Sequence, residues 1–239
     1  MPKFLIAVIV VLVIGCRKGN LLSPAEEAQG FFPLAEGNTW VYESHFSWEP
    51  DTTLVREVTL GHQQIDTVSG LEYYNPTSTF SYARFASSRP VWCTVLAKDS
   101  RGIYAVFTPG TSPFYTALLR FIDYPVMVGK SWIVVEGNTT FDGGSYRLHK
   151  IFRNIRTILG IESVTVPAGM FPFCYHIADS VTYREDYITS TDSTTQSYQS
   201  VSNEWFVPYT GLVKQMVSWN QYENTIRNEL RMFRRRLSN

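Results

Sequence analysis

Three cysteines and four histidines in 239 residues leave little material for a metal centre or a thiol catalyst. No Cys-x-x-Cys, paired histidines or His-Glu-x-x-His occurs, which removes the common zinc arrangements. Gly-x-Ser-x-Gly, a Walker loop and a dinucleotide fingerprint are missing as well. Charge of one sign is also absent: Lys plus Arg and Asp plus Glu stand at 21 each. No global field therefore recruits nucleic acid or steers an acidic substrate. A long hydrophobic run is the last absence. The unbroken apolar stretch 4–14 has eleven residues, and a helix crossing a bilayer core of about 30 Å needs roughly 20.

Position gives that short run its meaning. Met1-Pro2-Lys3 precedes it and Gly15-Cys16 follows, the layout of an export signal. Val13-Ile14-Gly15-Cys16 resembles the lipobox of bacterial lipoproteins. The resemblance implies cleavage before Cys16, diacylation of its sulfur and a new N-terminus there. An ordinary secretory signal cut elsewhere is the alternative. Arg17 stands where an aspartate would, in enteric bacteria, favour retention at the inner membrane, so the resemblance implies an outer-membrane destination in a cell with two membranes. The expected organisation is a signal peptide over 1–15, a lipidated tether over 16–30 and a single β-rich domain over 31–239. Ser23-Pro24-Ala25-Glu26 fits a capping box, enough for one helical turn in the tether.

Aromatic residues make up 15% of the chain, which suits strands better than helices. Beyond Phe31 the pattern repeats every two residues: Trp40, Tyr42, Phe46 and Trp48 share one parity, with Glu43 and Ser47 on the other. Similar stretches cover 54–65, 80–85, 91–96, 103–107, 132–135, 146–158, 173–187, 194–206 and 212–222. Turn formers separate them, including Gly61, Ser69-Gly70, Asn75-Pro76, Asp99-Ser100-Arg101-Gly102, Pro109-Gly110 and Asp142-Gly143-Gly144. The spacings are too short for βαβ crossovers. The expected fold is mostly β, an antiparallel meander forming a large curved sheet, half-barrel or sandwich. Residues 225–237 satisfy both periods and are read as a final strand. Its Arg227, Arg231, Arg234, Arg235 and Arg236 read as a solvated strand end, with a headgroup-binding patch as the sharper option. The Ser/Thr-rich stretch 189–202 is expected to form a long exposed hairpin.

One passage recurs. Phe32-Pro33-Leu34-Ala35-Glu36-Gly37-Asn38-Thr39-Trp40 is echoed by Tyr124-Pro125-Val126-Met127-Val128-Gly129-Lys130-Ser131-Trp132. Proline fixes an extended entry, glycine allows a tight turn, and tryptophan opens the next strand by filling apolar space. The pattern predicts one structural corner used twice. The first copy, together with Val166-Pro167-Ala168-Gly169-Met170-Phe171 and Gly211-Leu212-Val213-Lys214, resembles a group of uncharacterised bacterial lipoproteins that open with Pro-Leu-x-x-Gly-Asn-x-Trp. The resemblance implies a location and, by analogy of class, a half-open barrel that cradles lipid. It brings no activity and no cofactor.

The residues weighed for chemistry are few. Cys93 and Cys174 are an even pair for a disulfide, or else two separate buried thiols. Cys174 and His176 share a strand face, so with Cys93 they are candidate metal ligands, and with Asp179 a candidate nucleophilic set. His45, His62 and His149 read as surface residues. Glu36, Glu43, Asp51, Asp142 and Asp186 are too dispersed to pair by spacing. The expected function is a non-catalytic binding or structural module of the envelope, held by lipid on Cys16. Its expected partners are the membrane, through that lipid, and an apolar small molecule, a lipid among them, or an envelope protein, with no nucleic acid. The alternative is a secreted hydrolase with an unrecognised acidic site. Aromatics at period two are expected mainly in the core, with a sugar or lipid groove as the other use.

Overall fold

The structure, a computed structural model, describes residues 30–65, 72–80, 95–107, 117–219 and 224–235. Cys16, Cys93, the Ser23 capping box, Ser69-Gly70 and Pro109-Gly110 lie outside the described residues.

The described residues form β1 (Thr39–Phe46), β2 (Glu49–Ile65), β3 (Glu72–Phe80), β4 (Val95–Asp99), β5 (Gly102–Phe107) and β6 (Ala117–Asp123), then β7 (Ser131–Asp142), β8 (Tyr146–Val166), β9 (Gly169–Thr189), β10 (Ser193–Val207), β11 (Gly211–Trp219) and β12 (Asn224–Arg234). They join in one twelve-stranded sheet in the order β6-β5-β4-β3-β2-β1-β12-β11-β10-β9-β8-β7. The paired neighbours run antiparallel. This is the expected mostly β meander, with the first and last strands side by side. Among the described residues no helix is long and apolar enough to cross a membrane.

Residues 225–234 are a strand as expected, and Thr189 to Ser193 turns an exposed hairpin. Two expected turns are corrected. Gly61 lies inside β2, next to a register shift between Leu60 and Gln63, and Asn75-Pro76 lies inside β3. Pro76 stands opposite Leu60 of β2. Gly61 marks a bulge, the other common use of glycine in a strand.

The core is aromatic. Phe31 and Phe32 enter ahead of β1 and pack on Phe206, with ring centroids 6.1 Å apart in each case. Phe206 meets Phe121 edge-on at 5.7 Å, and Phe32 lies 5.5 Å from Trp40. The Tyr42 hydroxyl donates to the Leu212 carbonyl at 2.7 Å, so its polar end is satisfied inside.

The recurring passage is a corner built twice. Gly37 and Gly129 adopt φ of 82° and 86°, a left-handed conformation that favours glycine. The N–H of Gly37 donates to Leu60 and that of Gly129 to Ile158, both at 2.7 Å. Leu60 and Ile158 then donate back to the carbonyls of Asn38 and Lys130, both at 2.9 Å. Next in line, Thr39 and Ser131 share hydroxyl bonds with Thr59 and Thr157, 2.8 Å each. The corners open β1 and β7, six strands apart in the chain.

The junctions flanking the corners differ. β1 has a full ladder to β12, from Thr39 opposite Arg234 to Phe46 opposite Ile226. Among the described residues β7 has no ladder to β6, and those two strands are the edges of the sheet. Side chains bridge them instead. Trp132 Nε1 donates to the Arg120 carbonyl at 2.9 Å, and Arg156 Nη1 reaches from β8 to the Phe121 carbonyl at 2.6 Å. Lys130 adds an ion pair to Asp123 at 2.8 Å.

Candidate functional site

Antiparallel register places Ser44, Asn228, Gln215 and Glu204 directly opposite one another on β1, β12, β11 and β10. All four are buried, and their side chains form one chain of hydrogen bonds. Ser44 donates to Asn228, Asn228 donates to Gln215 at 2.9 Å, and Gln215 donates to Glu204 at 2.8 Å. Arg156 of β8 continues the row by pairing with Glu204, and its Nε lies 3.5 Å from Asp179 on β9. The Arg156 guanidinium also sits 4.3 Å over the Phe121 ring. The row thus spans the sheet from β1 to the β6 edge.

One cation faces two carboxylates here. Burial above all, with Glu204's charge as a lesser cause, raises the Asp179 carboxyl to about 6 against the pull of Arg156. Such groups would serve as an acid and base pair if substrate reached them. Arg156 and Glu204 are each 1% exposed, however, and the row is sealed beneath the aromatic core. Its role is to bind six strands and the open seam together.

The opposite face at this level carries the sequence candidates. Cys174 and His176 do share a face, but Asp179 is on the other one with Arg156, so the Cys174, His176 and Asp179 set is not assembled. His176 stacks on Trp205 with centroids 4.6 Å apart, and its nitrogens lie 2.8 Å from Asn203 and 3.1 Å from Glu162. Cys174 is a free, fully buried thiol that donates to the Phe171 carbonyl. Burial pushes its pKa to about 11, so it stays protonated and is a poor nucleophile. Three of the dispersed carboxylates have local partners in the fold: Glu43 meets Arg231, Asp142 meets Arg147, and Asp186 meets Arg184 and Thr195. His149 is tied to Asn138 and Asp186, and Arg227 pairs with Glu229. A shallow cleft of about 290 Å³ lies between His45, Pro50, Met216 and Arg227.

The open surface is elsewhere. Among the described residues, β11 pairs with β10 as far as Trp219 opposite Ser200, and β10 continues back to Ser193 paired with β9. β7, β8, β9 and β10 therefore run on as a four-stranded arm. Alternation assigns its two faces. Tyr198, Tyr183, Phe152 and Gly137 form one rung across the arm, and Thr194, Tyr187, Leu148 and Phe141 form another. By parity both rungs lie on the face that holds Arg156, Asp179 and Glu204 farther up. Once the neighbouring strands stop, that face is uncovered: Phe141, Tyr187 and Tyr198 are 57%, 41% and 42% exposed.

The exposed rings are organised. Tyr183 and Tyr198 stack at 4.9 Å, and Tyr146 and Tyr187 stack at 5.2 Å with Phe141 alongside at 6.0 Å. Phe152 lies over Gly137, where an added Cβ would come within 2.3 Å of its ring. Between the aromatic rungs, Lys150 and Glu185 pair at 3.1 Å. Hydrogen bonds from Tyr183 and then Lys150 hold the Glu185 carboxyl below the usual carboxylate range. The reverse face is mixed: Ile151 and Ile188 are exposed there, and Asp186 receives bonds from Thr195 at 2.7 Å and Arg184 at 3.0 Å. Sequence reasoning placed period-two aromatics mainly in the core and missed this face. Its signal was strand length: β8 and β9 have 21 residues each, against nine in β11.

No protein-family profile matches the chain, and no curated protein matches it. Two solved structures are similar in overall shape. A candidate lipoprotein of Parabacteroides distasonis aligns with a TM-score of 0.47 and 14% identity, covering 86% of this chain and 98% of that one. A candidate exported protein of Bacteroides fragilis, described as having a YmcC-like fold, aligns with a TM-score of 0.46 and 15% identity, covering 86% and 99%.

Proposed function

We propose that the chain is a lipid-anchored envelope protein that binds its ligand without covalent chemistry, through the aromatic face of the β7 to β10 arm. Gly15-Cys16 directly behind a charged start and eleven apolar residues carries the anchor. Each buried methylene contributes about 0.8 kcal/mol, so two or three acyl chains hold far more firmly than one. The sheet then stands off the membrane on the segment 16–30. In a cell with two membranes, Arg17 favours the outer one. In a cell with one, the anchor lies on its outer face.

The binding half of the reading rests on the uncovered rings. Aromatic side chains left in water on an ordered strand surface are an unspent contact area, and contiguous apolar surface of this kind marks interaction sites. A hydrolytic role has less support: the buried acids Asp179 and Glu204 are sealed, and Cys174 is protonated. Mass spectrometry of the N-terminal peptide from the native protein tests the anchor. Acyl mass on Cys16 is expected, with Cys16→Ser moving the chain to the soluble fraction. Unmodified peptide still bearing Met1 would overturn it.

A further inference from the structure

The ligand class follows from how polar and apolar groups alternate along the arm. Tyr183 and Tyr187 sit four residues apart on β9, which places their rungs ~13 Å apart. The Lys150 and Glu185 pair occupies the rung between them, with Gln196 and Thr139 in register on either side. The face therefore presents ring, polar row, ring. Its two ionised groups cancel, so it offers no preference for a charged ligand.

That order excludes the other chemistries an aromatic surface serves. An acyl chain laid across the arm would strip water from the ion pair without replacing its hydrogen bonds, and burying charges that way is costly. A nucleic acid strand needs a surplus of cations along its phosphates, and Lys150 is neutralised here. A chain of pyranose rings fits, because each sugar has an apolar face of C–H groups to lie on a ring and hydroxyls at its edges. Those hydroxyls would meet the spare ammonium protons of Lys150, the second oxygen of Glu185 and the Gln196 amide.

We propose that the aromatic face of the arm binds a neutral oligosaccharide, with sugars resting on the Tyr183 and Tyr198 stack and on the Tyr146 and Tyr187 stack, and hydroxyls on the Lys150 and Glu185 row. This rests on the reading of the arm as a binding face. Gly137 supports the platform by leaving room for the Phe152 ring against β7.

The test uses the full-length chain in detergent micelles, titrated against an array of neutral hexose and N-acetylhexosamine oligomers, uncharged-lipid vesicles and a fluorescent fatty acid. Saturable binding to an oligosaccharide is expected, weakened at least tenfold by Tyr187→Ala and by Tyr198→Ala. Tyr209→Ala, exposed but off the arm, should leave binding unchanged. Circular dichroism and Tm confirm that each variant folds. Binding of vesicles or fatty acid alone, lost in the same two variants, would overturn the sugar assignment and keep the arm as a binding face. Binding of no probe would overturn both. Sugar binding that is indifferent to both tyrosines would place the site elsewhere and also overturn the proposal.

Discussion

Arg156 meets two carboxylates with a single positive charge, and the consequence is measurable. Asp179 has its carboxyl raised from 3.8 to about 6, chiefly by burial. Between those values the folded chain holds a proton that the unfolded chain has released. The stability tied to it is full below about pH 4 and lost as pH rises through about 6. Asp179→Asn removes this titration. Relative to wild type, the variant should gain roughly 2 kcal/mol between pH 4 and pH 7, read from denaturant melts at each pH. A constant difference across that range would show that Asp179 does not hold the proton. Cys174 offers a second check. It should resist maleimide at pH 8 in the native chain and label fully in denaturant without reductant, followed by mass spectrometry of its peptide. Labelling only after reduction would show that it is bonded.

At the scale of elements, the corners and the arm make opposite points about what a sequence displays. The two corners were legible because each requires the same types at the same spacing: a left-handed glycine, a hydroxyl and a strand-opening tryptophan. Gly61 and Asn75-Pro76 use the same residue types as turns and were misread, because both sit inside paired strands, Gly61 beside a bulge, and long-range pairing rather than local residue type decides there. The open face was hidden for a related reason. Phe141, Tyr187 and Tyr198 alternate as core residues do, and only the shortness of β11 leaves them in water. The buried row was harder still, since Glu204 and Gln215 meet only through long-range register. Trp132→Phe keeps the ring and deletes the bond to Arg120, and should cost about 1 kcal/mol in chemical unfolding. Gly137→Ala should displace the Phe152 ring and lower arm stability, visible as faster amide exchange over 137–141 and 148–152. Unchanged exchange there would show that the ring is not held by the glycine.

Across the whole molecule, the sheet is a near-complete circuit with one unlaced place. β12 and β1 are laddered, whereas β6 and β7 are held by Trp132, Arg156 and Lys130. Hydrogen exchange should therefore begin in β6 and β7, ahead of β1 and β12, and Arg156→Met should widen the gap. Equal protection at the two junctions would contradict the side-chain account.

The doubled corner has one more implication. Two six-stranded halves joined end to end behave like a dimer whose partners are covalently leashed, and the leash keeps each at high local concentration of the other. Under that condition only one of the two meeting places has to be zipped by backbone. The second was free to trade its ladder for a latch of side chains, and the strands beyond it were free to outgrow their neighbours into the arm.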